Sequence, residues 1–317
     1  MRCSFRSLIP EFRDVYSCEK FGECTPREKR NGIACCAGCE LFVPSSEADA
    51  VQPRLNPVIG ITTAPRKDGL LDRCVSSLQV AGGKDITIFA EPGSDLSGVL
   101  GTRVVQREAR FGAWRNWVAM CRELLKKEGD LFLLCQDDMV FSSSALSIEV
   151  PNKKFAFISL YAASHYAKKY QVIKNNKVAK VFQLKDDADK HAKRIKGTVR
   201  MKEAPHGIVP LKTNSFWGAC ALLFQRKTLE SFLNHRIVRT WKGARRAKKP
   251  ELVANIDTAI GLTANSLGLQ MLICIPSLCQ HEARYSSIGH GGNEGRRKAW
   301  SVADDLKAES KCACAAK

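Results

Sequence analysis

Residues 131–138 have the sequence LFLLCQDD, a continuous apolar run that ends in two adjacent aspartates. A run of this length without polar alternation is typical of a strand buried on both faces, as in parallel sheets. Burial and like charge both oppose the ionisation of neighbouring carboxylates unless a cation neutralises them. Oxygen ligands of this kind suit Mg²⁺ or Mn²⁺. Asp137 and Asp138 are therefore predicted to bind a divalent ion, and a solvated turn is the alternative.

Strand and helix patterns alternate on the amino-terminal side of this run. Residues 58–62, 85–90 and 102–105 have the composition of short strands. Between them, a helix is predicted from Asp68, and residues 112–128 carry apolar side chains at helical spacing. Alternation of this kind predicts an α/β fold with a mostly parallel central sheet flanked by helices.

Polar residues follow three of the predicted strands. Residues 62–66 come after the first, Glu91 after the second, and residues 136–138 after the buried run. Ligands of open α/β sheets bind where the carboxyl ends of strands meet, so these segments are predicted to form one site.

Cysteines are concentrated near the amino terminus, where six of the 14 fall within the first 39 residues. A small segment of this kind cannot build a sufficient core without a staple, and four thiolates can close a tetrahedral zinc site. Reduced thiols or a redox role are the alternatives. Isolated Cys74, Cys121 and Cys135 lie in apolar patterns and are predicted to be inert core residues. The predicted zinc ligands are Cys18, Cys24, Cys36 and Cys39, with Cys35 able to replace one of them.

Composition divides the chain into segments. Residues 1–42 are predicted to form the zinc module, and residues 43–57, rich in Pro, Ser and Ala, form a linker. Residues 58–290 are predicted to be the catalytic domain, with a basic insertion at about 165–250, and residues 291–317 form a carboxyl-terminal tail.

Positive charge is concentrated in one block. The whole chain has a formal charge of +18, and residues 151–250 hold 24 Lys and Arg against 5 Asp and Glu. A block of this kind suits a polyanion such as nucleic acid, because Lys and Arg release counterions from phosphates. A solvated face that promotes solubility is the alternative. The aromatic residues interleaved with these cations, which would stack on bases, are Tyr166, Tyr170, Phe182 and Trp241.

No stretch approaches the ~20 apolar residues of a membrane span, and the first ten residues lack the apolar segment of a signal peptide. We therefore expect a soluble, cytoplasmic protein of a bacterium or a phage-infected host cell. Nothing in the sequence implies a protein partner.

Five short motifs carry a resemblance to a known family. They are residues 61–66 (ITTAPR), 112–117 (GAWRNW), 134–139 (LCQDDM), 276–281 (PSLCQH) and 286–289 (SSIG). In this order they resemble nucleotide-sugar glycosyltransferases of GT-A fold, family-2-like enzymes, and the Cys-rich prefix is similar to one found on some bacterial and phage members. The resemblance covers most of the predicted catalytic domain, apart from the basic block. Gln-Asp-Asp departs from the family's strict Asp-x-Asp, which leaves open which acid touches the metal.

The resemblance implies a Rossmann-like GT-A domain that transfers sugar from a nucleotide-sugar donor, a UDP-sugar above all, with Mn²⁺ or Mg²⁺. It implies that His281 completes the metal site, although a core histidine is the alternative. Arg66 is alternatively a surface arginine, and Asn116 a helix cap. The implied donor-binding residues are Thr62, Thr63, Arg66, Glu91, Asn116, Gln136, Asp137 and Asp138.

The acceptor side is predicted from the second half of the chain. Asp257 is the candidate general base, with a helix N-cap as the alternative. Because the basic block suits nucleic acid, we predict a DNA acceptor, a hydroxylated base such as 5-hydroxymethylcytosine flipped from the duplex. A glycan, lipid-linked or protein acceptor is one alternative, and a non-enzymatic, zinc-containing nucleic-acid-binding protein is another. The predicted acceptor-binding residues are Trp217, Gly218, Trp241, Arg245 and Arg246, where core packing is the alternative for Trp217.

Overall fold

A computed structural model of the chain contains two compact units, Met1–Arg54 and Leu55–Lys317. Within the described ranges, no helix combines the length and apolar character needed to cross a membrane. Backbone alone is described for residues 3–9, 12–18, 22–23 and 164–165. Backbone and side chains are described for residues 54–66, 68–99, 101–163, 166–182, 185–211, 216–241, 256–282, 299 and 302–306.

Three antiparallel strands make up the described part of the first unit: β1 Cys3–Ile9, β2 Phe12–Cys18 and β3 Gly22–Glu23. Cys18 is described only as the last backbone position of β2. The zinc module stays a prediction, because its other ligand candidates, Cys24, Cys35, Cys36 and Cys39, lie outside the described residues.

The second unit has a large α/β architecture. Its strands are β4 Val58–Thr63, β5 Asp85–Ala90, β6 Arg103–Gln106, β7 Leu131–Gln136, β8 Met139–Phe141, β9 Phe157–Ser159, β10 Lys168–Lys174, β11 Lys177–Phe182, β12 Thr198–Glu203, β13 Gly207–Pro210, β14 Ala221–Gln225, β15 Met271–Ile275 and β16 Cys279–His281. Its helices are α1 Leu70–Val80, α2 Ala113–Leu124, α3 Ser164–Ala167, α4 Lys185–Ile195, α5 Arg226–Asn234, α6 Arg236–Thr240 and α7 Ile256–Ser266.

Eight strands form the central sheet, in the order β13-β15-β9-β14-β7-β4-β5-β6. Six of them run in the same direction, and β13 and β14 run against the others. The predicted α/β class with a mostly parallel sheet is confirmed. Strands β6-β5-β4-β7 have the 3-2-1-4 order of doubly wound folds. The chain therefore leaves β4 on one side and returns on its other side with β7, which makes the β4–β7 boundary the topological switch point.

Apolar runs explain why the strands at the sheet centre are enclosed. Residues 132–135 of β7 and all five residues of β15 are buried, as expected where helices cover both faces. Helix α2 packs onto β4 at Gly60, where a Cβ would lie 2.5 Å from Cδ1 of Leu124. The side chain of any larger residue there would push α2 away from the sheet.

A smaller antiparallel sheet, β11-β10-β12, is packed against α4. It has its own apolar cluster, separate from the main core and built from Tyr170, Val172, Ala188 and Ala192. We call residues 168–203 the inserted module. Because the cluster is small, this module exposes much more of its surface than the central sheet does.

Candidate functional site

The acid pair lies at the switch point of the central sheet. Parallel strands β4 and β7 pair in a register that sets Thr62 opposite Gln136. The next residues along each strand, Thr63 and Asp137, therefore meet at the carboxyl edge, where Oγ1 of Thr63 donates a hydrogen bond to Oδ2 of Asp137 at 2.5 Å. Thr62 turns back into the sheet and donates to the carbonyl of Cys135 at 3.3 Å.

Arg66 bridges the two aspartates. Its Nη1 lies 3.0 Å from Oδ1 of Asp137, and its Nη2 lies 3.3 Å from Oδ2 of Asp138. All three side chains are nearly enclosed, with 9 to 10% of their surface exposed. Arg66 is thus a buried partner of the acid pair, and the alternative of a surface arginine is wrong.

His281 reaches the same place through a separate pair of strands. Antiparallel pairing of β16 with β8 sets His281 opposite Met139, directly after the acid pair. The Nε2 atom of His281 lies 3.3 Å from Oδ2 of Asp138, and the side chain is 7% exposed. The structure therefore brings His281 into contact with Asp138, one of the two aspartates with which it was predicted to hold the divalent ion.

The pKa values of the two aspartates shift in opposite directions. Desolvation, together with the charge of Asp138, raises the pKa of Asp137 to about 7, although Arg66 and Thr63 act in the opposite direction. Burial also acts to raise the pKa of Asp138, but His281 and Arg66 outweigh it and hold that pKa below its usual value. Asp138 is therefore the member of the pair that stays ionised.

These residues fit a divalent cation in chemistry. Among the side chains that the structure describes, no three His, Cys, Asp or Glu residues are grouped closely enough to hold a metal ion. Two buried acceptor-capable atoms of the site nevertheless lack a hydrogen-bond partner, Oδ1 of Asp138 and Nδ1 of His281. Buried polar atoms are rarely left unsatisfied, and both of these atoms are available to a bound cation. Carboxylate oxygens suit Mg²⁺ and Mn²⁺, and an added imidazole nitrogen favours Mn²⁺ over Mg²⁺, which prefers oxygen ligands.

Glu91 forms a second buried acidic position at the same edge, directly after β5. It is 3% exposed, and its backbone N–H donates to the carbonyl of Thr63 at 3.0 Å. One carboxylate oxygen, Oε2, accepts from the backbone N–H of Phe111 at 2.8 Å, while Oε1 is buried without a partner. An enclosed carboxylate with one unused oxygen can accept a hydrogen bond from a ligand.

Arg107 is a site residue that the sequence-based prediction missed. It follows β6, its backbone N–H donates to Ala90, and its guanidinium lies over the rings of Phe89 and Phe111. Its Nη2 atom is buried without a hydrogen-bond partner. Burial lowers the pKa of Arg107, while Glu123 and Glu91 act to raise it. The rule that found Arg66, a polar residue just past a strand, would also have found Arg107.

Asn116 supports this part of the edge from inside. The side chain is 2% exposed, its Nδ2 donates to the carbonyl of Phe89 at 2.9 Å, and its Oδ1 accepts from Nε of Arg107 at 3.0 Å. Its polar atoms are thus engaged within the chain and hold Arg107 in place. Asn116 lies one turn inside α2, so the alternative of a helix cap is wrong.

Asp257 is linked to the segment before the acid pair through Ala219 and Cys220, the two residues that precede β14. Its Oδ1 accepts from the backbone N–H of Ala219 at 2.8 Å, and the neighbouring Cys220 carbonyl accepts from the N–H of Gln136 at 2.9 Å. Asp257 lies in the first turn of α7. Only a few residues therefore separate the candidate base from Asp137 along a path of direct contacts.

The predicted acceptor residues Trp217 and Gly218 directly precede Ala219, whose backbone N–H contacts Asp257. Trp217 is 56% exposed, and its backbone N–H donates to the hydroxyl of Tyr166 at 2.7 Å. Gly218 has a φ of +103°, and a Cβ there would lie 3.0 Å from the ring of Tyr161. The exposed ring of Trp217 contradicts the alternative that it is a core-packing residue.

The other aromatics of the basic block are buried or partly buried. Tyr166 and Tyr170 are 8% and 7% exposed, and Phe182 packs against the cluster of the inserted module. The indole of Trp241 packs against the main core and leaves Nε1 buried without a partner. The interleaving of aromatics and cations is therefore structural, because these rings supply apolar bulk in segments rich in lysine. Arg245 and Arg246 lie outside the described residues.

The three isolated cysteines are free and buried, as predicted. Desolvation raises the pKa of Cys74, Cys121 and Cys135, which keeps these thiols protonated and unreactive. They serve as small apolar packing residues of the main core.

No protein-family model matches the chain, and no curated protein matches it. Solved structures match at low similarity. The inositol-1-phosphate CTP transferase from T. maritima is 13% identical over 70% of this chain and 86% of its own, with a TM-score of 0.36. The mannose-1-phosphate geranyltransferase from Thermus thermophilus is 10% identical over 69% and 73%, with a TM-score of 0.39.

A Drosophila galactosyltransferase 7 mutant, in complex with manganese, UDP-Gal and xylobiose, is 11% identical over 81% of this chain and 80% of its own, with a TM-score of 0.37. Similarity at this level does not establish a shared function. Function is therefore inferred from the strand order and side-chain contacts of the chain itself.

Proposed function

We propose that this chain is a metal-dependent glycosyltransferase of GT-A type that moves a sugar from a nucleotide-sugar donor, a UDP-sugar above all, onto an acceptor hydroxyl. The observation that supports this most directly is the buried pair Asp137 and Asp138 at the switch point, with His281 in contact with Asp138. The crevice beside a switch point is where doubly wound folds bind nucleotides.

Asp137, Asp138 and His281 would hold Mn²⁺ or Mg²⁺, which acts as a Lewis acid for the negative charge that develops on the departing nucleoside diphosphate. Thr63 donates a hydrogen bond to Oδ2 of Asp137, and Arg66 and His281 contact Oδ2 of Asp138. Enclosure of these groups removes screening water, so their charges act more strongly on a bound ligand.

Glu91 and Arg107 support a pocket for the nucleoside of the donor. The unused Oε1 of Glu91 can accept a hydrogen bond from a base or ribose, and the unused Nη2 of Arg107 can donate one. Both residues follow neighbouring strands of the edge that carries the acid pair. The nucleoside would then lie beside the diphosphate, as the connectivity of the donor requires. Thr62 and Gln136, which pair where β4 and β7 end, would lie beneath the donor.

Asp257 is our candidate for the general base of an inverting transfer. The N–H of Ala219 donates to one oxygen, which fixes the orientation of the carboxylate. Its other oxygen would take the proton from the acceptor hydroxyl as the hydroxyl attacks the anomeric carbon. Trp217 and Gly218, next to Ala219, would contact the acceptor, and the exposed indole offers a face for stacking.

A donor screen tests the transferase function. The purified chain is incubated with a panel of nucleotide sugars and Mn²⁺, and release of nucleoside diphosphate is measured. We expect slow hydrolysis of one donor, lost when Mn²⁺ is chelated and lost in Asp138→Asn. No hydrolysis of any donor would favour the non-enzymatic nucleic-acid-binding alternative and contradict the proposal.

For the acceptor we propose a hydroxylated base in DNA, such as 5-hydroxymethylcytosine. The inserted module supports this choice, because its sheet has one face covered by α4 and one open face. Tyr170 and Val172 of β10 point at α4, so the alternating residues Lys169 and Gln171 point away from it.

Register extends this open face to the edge strand. Lys202 pairs with Lys169, and Arg200 pairs with Gln171, so these side chains lie on the same face of the sheet. Lys169, Arg200 and Lys202 are all exposed. The three cations form a row suited to the phosphates of a duplex, and such contacts need no aromatic stacking.

Nucleoside mass spectrometry tests the acceptor. Duplex DNA with and without 5-hydroxymethylcytosine is incubated with the chain, Mn²⁺ and the donor found in the screen. We expect the mass of one sugar to be added to the hydroxymethylated nucleoside alone. Transfer to a glycan, lipid-linked or protein acceptor, with none to DNA, would overturn the acceptor proposal and leave the transferase proposal standing.

A further inference from the structure

Arg66 occupies the carboxylate oxygens that a divalent ion needs. Three of the four oxygens of the acid pair are engaged. Oδ1 of Asp137 lies 3.0 Å from Nη1 of Arg66, and Oδ2 of Asp137 accepts from Thr63. Oδ2 of Asp138 lies 3.3 Å from both Arg66 and His281, which leaves Oδ1 of Asp138 as the unpartnered one.

A guanidinium group cannot share this position with a metal ion. It has five donors and no acceptor, so it cannot enter a coordination shell, and its positive charge repels a divalent cation. Arg66 is also the cation that neutralises the buried pair when no metal is bound. Either the guanidinium or a metal ion is required there, because two enclosed carboxylates cannot both ionise without a cation.

The hold on Arg66 is incomplete. Only Nη2 makes a hydrogen bond, to Asp138, while Nε and Nη1 are buried without one. A further carboxylate, Asp68, lies 3.6 Å from Nε, and its side chain is 45% exposed. Asp68 therefore offers the guanidinium a partner on the solvent side of the site.

We propose that Arg66 is a resident counter-cation of the acid pair, which a divalent ion displaces toward Asp68. Metal and guanidinium then compete for the same carboxylates, and the metal-free protein is stabilised by the arginine that weakens metal binding. This inference rests on the proposed metal-dependent function and concerns the regulation of the same site. It places a built-in competitor in the metal-free enzyme.

Calorimetric titration with Mn²⁺ tests the competition in Arg66→Gln. Removal of one positive charge a few ångströms from the ion should tighten Mn²⁺ binding at least about tenfold. By linkage, the same change should lower the melting temperature of the metal-free protein and enlarge the rise in melting temperature that saturating Mn²⁺ produces. Mn²⁺ affinity in Arg66→Gln equal to or weaker than that of the unmodified protein would overturn the proposal.

Arg73→Gln is the matched control. Arg73 lies on α1, is 53% exposed and has a carboxylate partner, Glu282, at 3.7 Å. The control also removes one arginine paired with a carboxylate near the site, but it frees no oxygen of the acid pair. Its Mn²⁺ affinity should stay within about twofold of the unmodified protein, since an exposed pair is well screened. A tenfold gain in this control would show a general charge effect and overturn the proposal.

Two further measurements keep the tests separate. Arginine-detected NMR can be recorded on the unmodified protein and needs no variant. The guanidinium signal of Arg66 should shift as Mg²⁺ saturates the site. An unshifted signal would overturn the proposal even if Arg66→Gln fails to fold. Asp138→Asn reports on the proposed function itself. If the unmodified protein and both arginine variants bind no Mn²⁺, the metal-dependent function fails; if Asp138→Asn alone loses Mn²⁺ while Arg66→Gln gains nothing, only the counter-cation proposal fails.

Discussion

The acid-pair site and the inserted module are built in opposite ways. The site is negative and enclosed, and it depends on contacts between distant parts of the chain: Thr63 and Asp137 are 74 residues apart, and Arg66 and Asp138 are 72 apart. The inserted module is basic and exposed, and its cluster forms within residues 168–203. Chemistry that needs fixed geometry is thus placed where the whole fold converges, whereas a surface that needs only charge rests on a small local core.

The largest effect is expected from Asp138→Asn, which alters the acid-pair site and leaves the inserted module intact. Asp138 is a proposed metal ligand, so this change should reduce both Mn²⁺ affinity and donor hydrolysis. We expect a reduction of at least about 100-fold, since even loss of a residue that only supports a metal ligand costs about 10- to 100-fold. DNA affinity should stay unchanged, because the open face of the module is untouched. Titration with Mn²⁺, release of nucleoside diphosphate and DNA binding are measured on the same preparation.

Asp85→Asn is the control for that change. Asp85 begins β5 at the opposite edge of the sheet and pairs with Lys127. Hydrolysis should remain within about twofold of the unmodified protein, since an exposed ion pair contributes little. Equal losses in the two variants, or full hydrolysis in Asp138→Asn, would contradict the assignment of the acid pair.

The reverse experiment removes charge from the open face with the triple change Lys169→Gln, Arg200→Gln and Lys202→Gln. Each lost phosphate contact should lower the slope of log affinity against log salt by about 1, so the triple variant should lose about 3. Affinity for duplex DNA should fall about 10- to 100-fold at low salt, with donor hydrolysis unchanged.

A matched triple variant also removes two lysines and one arginine, but outside the module. The positions are Lys84, Arg122 and Lys126, which are exposed in the second unit. Its salt slope should stay close to that of the unmodified protein. If both triple variants lose the same affinity, the protein attracts DNA through net charge alone and the open face has no special role.

Much of the switch-point site was predictable because it follows from local pattern and strand-end geometry. The apolar run before Asp137 identified a buried strand, and the α/β alternation placed its carboxyl end beside Thr63. What sequence could not supply was the pairing of side chains across the fold. Nothing in the sequence shows that Arg66 lies on the acid pair, or that the half-satisfied Glu91 lies near Arg107.

For the inserted module, the sequence revealed the charge but not the packing of the aromatic side chains. Its charge was apparent from composition, but the sequence did not reveal that Tyr170 is buried and that Phe182 packs against the module's own cluster. Tyr170 alternates with Lys169 along β10, and the pleat sends the ring to α4 and the lysine to solvent. Period-2 alternation was visible in the sequence. However, no helix was predicted to pack on this sheet, so the alternation alone did not show which face is covered.

Gly218→Ala should have an intermediate effect and tests how the acceptor loop is held. A side chain at a φ of +103° is strained by about 1–3 kcal/mol, and here the Cβ would also press on Tyr161 at 3.0 Å. We expect lower stability to urea and weaker transfer to acceptor, with donor hydrolysis retained, because the shift moves Trp217 and not the acid pair.

Gly207→Ala separates the two causes. Gly207 has a φ of +104°, and a Cβ there would meet nothing within 4 Å. The backbone strain is therefore matched and the contact with Tyr161 is absent. If Gly218→Ala is no more destabilised than Gly207→Ala, and acceptor transfer is intact in both, the contact does not position the loop.

The smallest effect is expected at Asp305, which ties residues 302–306 to the turn after β8. Its Oδ2 accepts hydrogen bonds from the Ser143 backbone N–H at 2.7 Å, the Ser143 hydroxyl at 2.8 Å and the Ser142 hydroxyl at 3.0 Å. Burial acts to raise the pKa of Asp305, but these hydrogen bonds outweigh it and hold the pKa below its usual value.

A carboxylate with a lowered folded-state pKa stabilises the fold above its unfolded-state pKa of about 4. That contribution is lost as pH falls through the folded-state value. Asp305→Asn should therefore lower stability at pH 7 by under about 1 kcal/mol, since the group is partly screened by solvent. The difference in melting temperature from the unmodified protein should shrink as pH falls below about 4.

The control is Glu128→Gln, at an exposed position, which should show no such convergence. A gap for Asp305→Asn that is constant from pH 7 to pH 3 would mean that the asparagine is penalised by packing, and the charge-assisted bonds from Ser142 and Ser143 would then contribute nothing measurable to holding this segment beside β8.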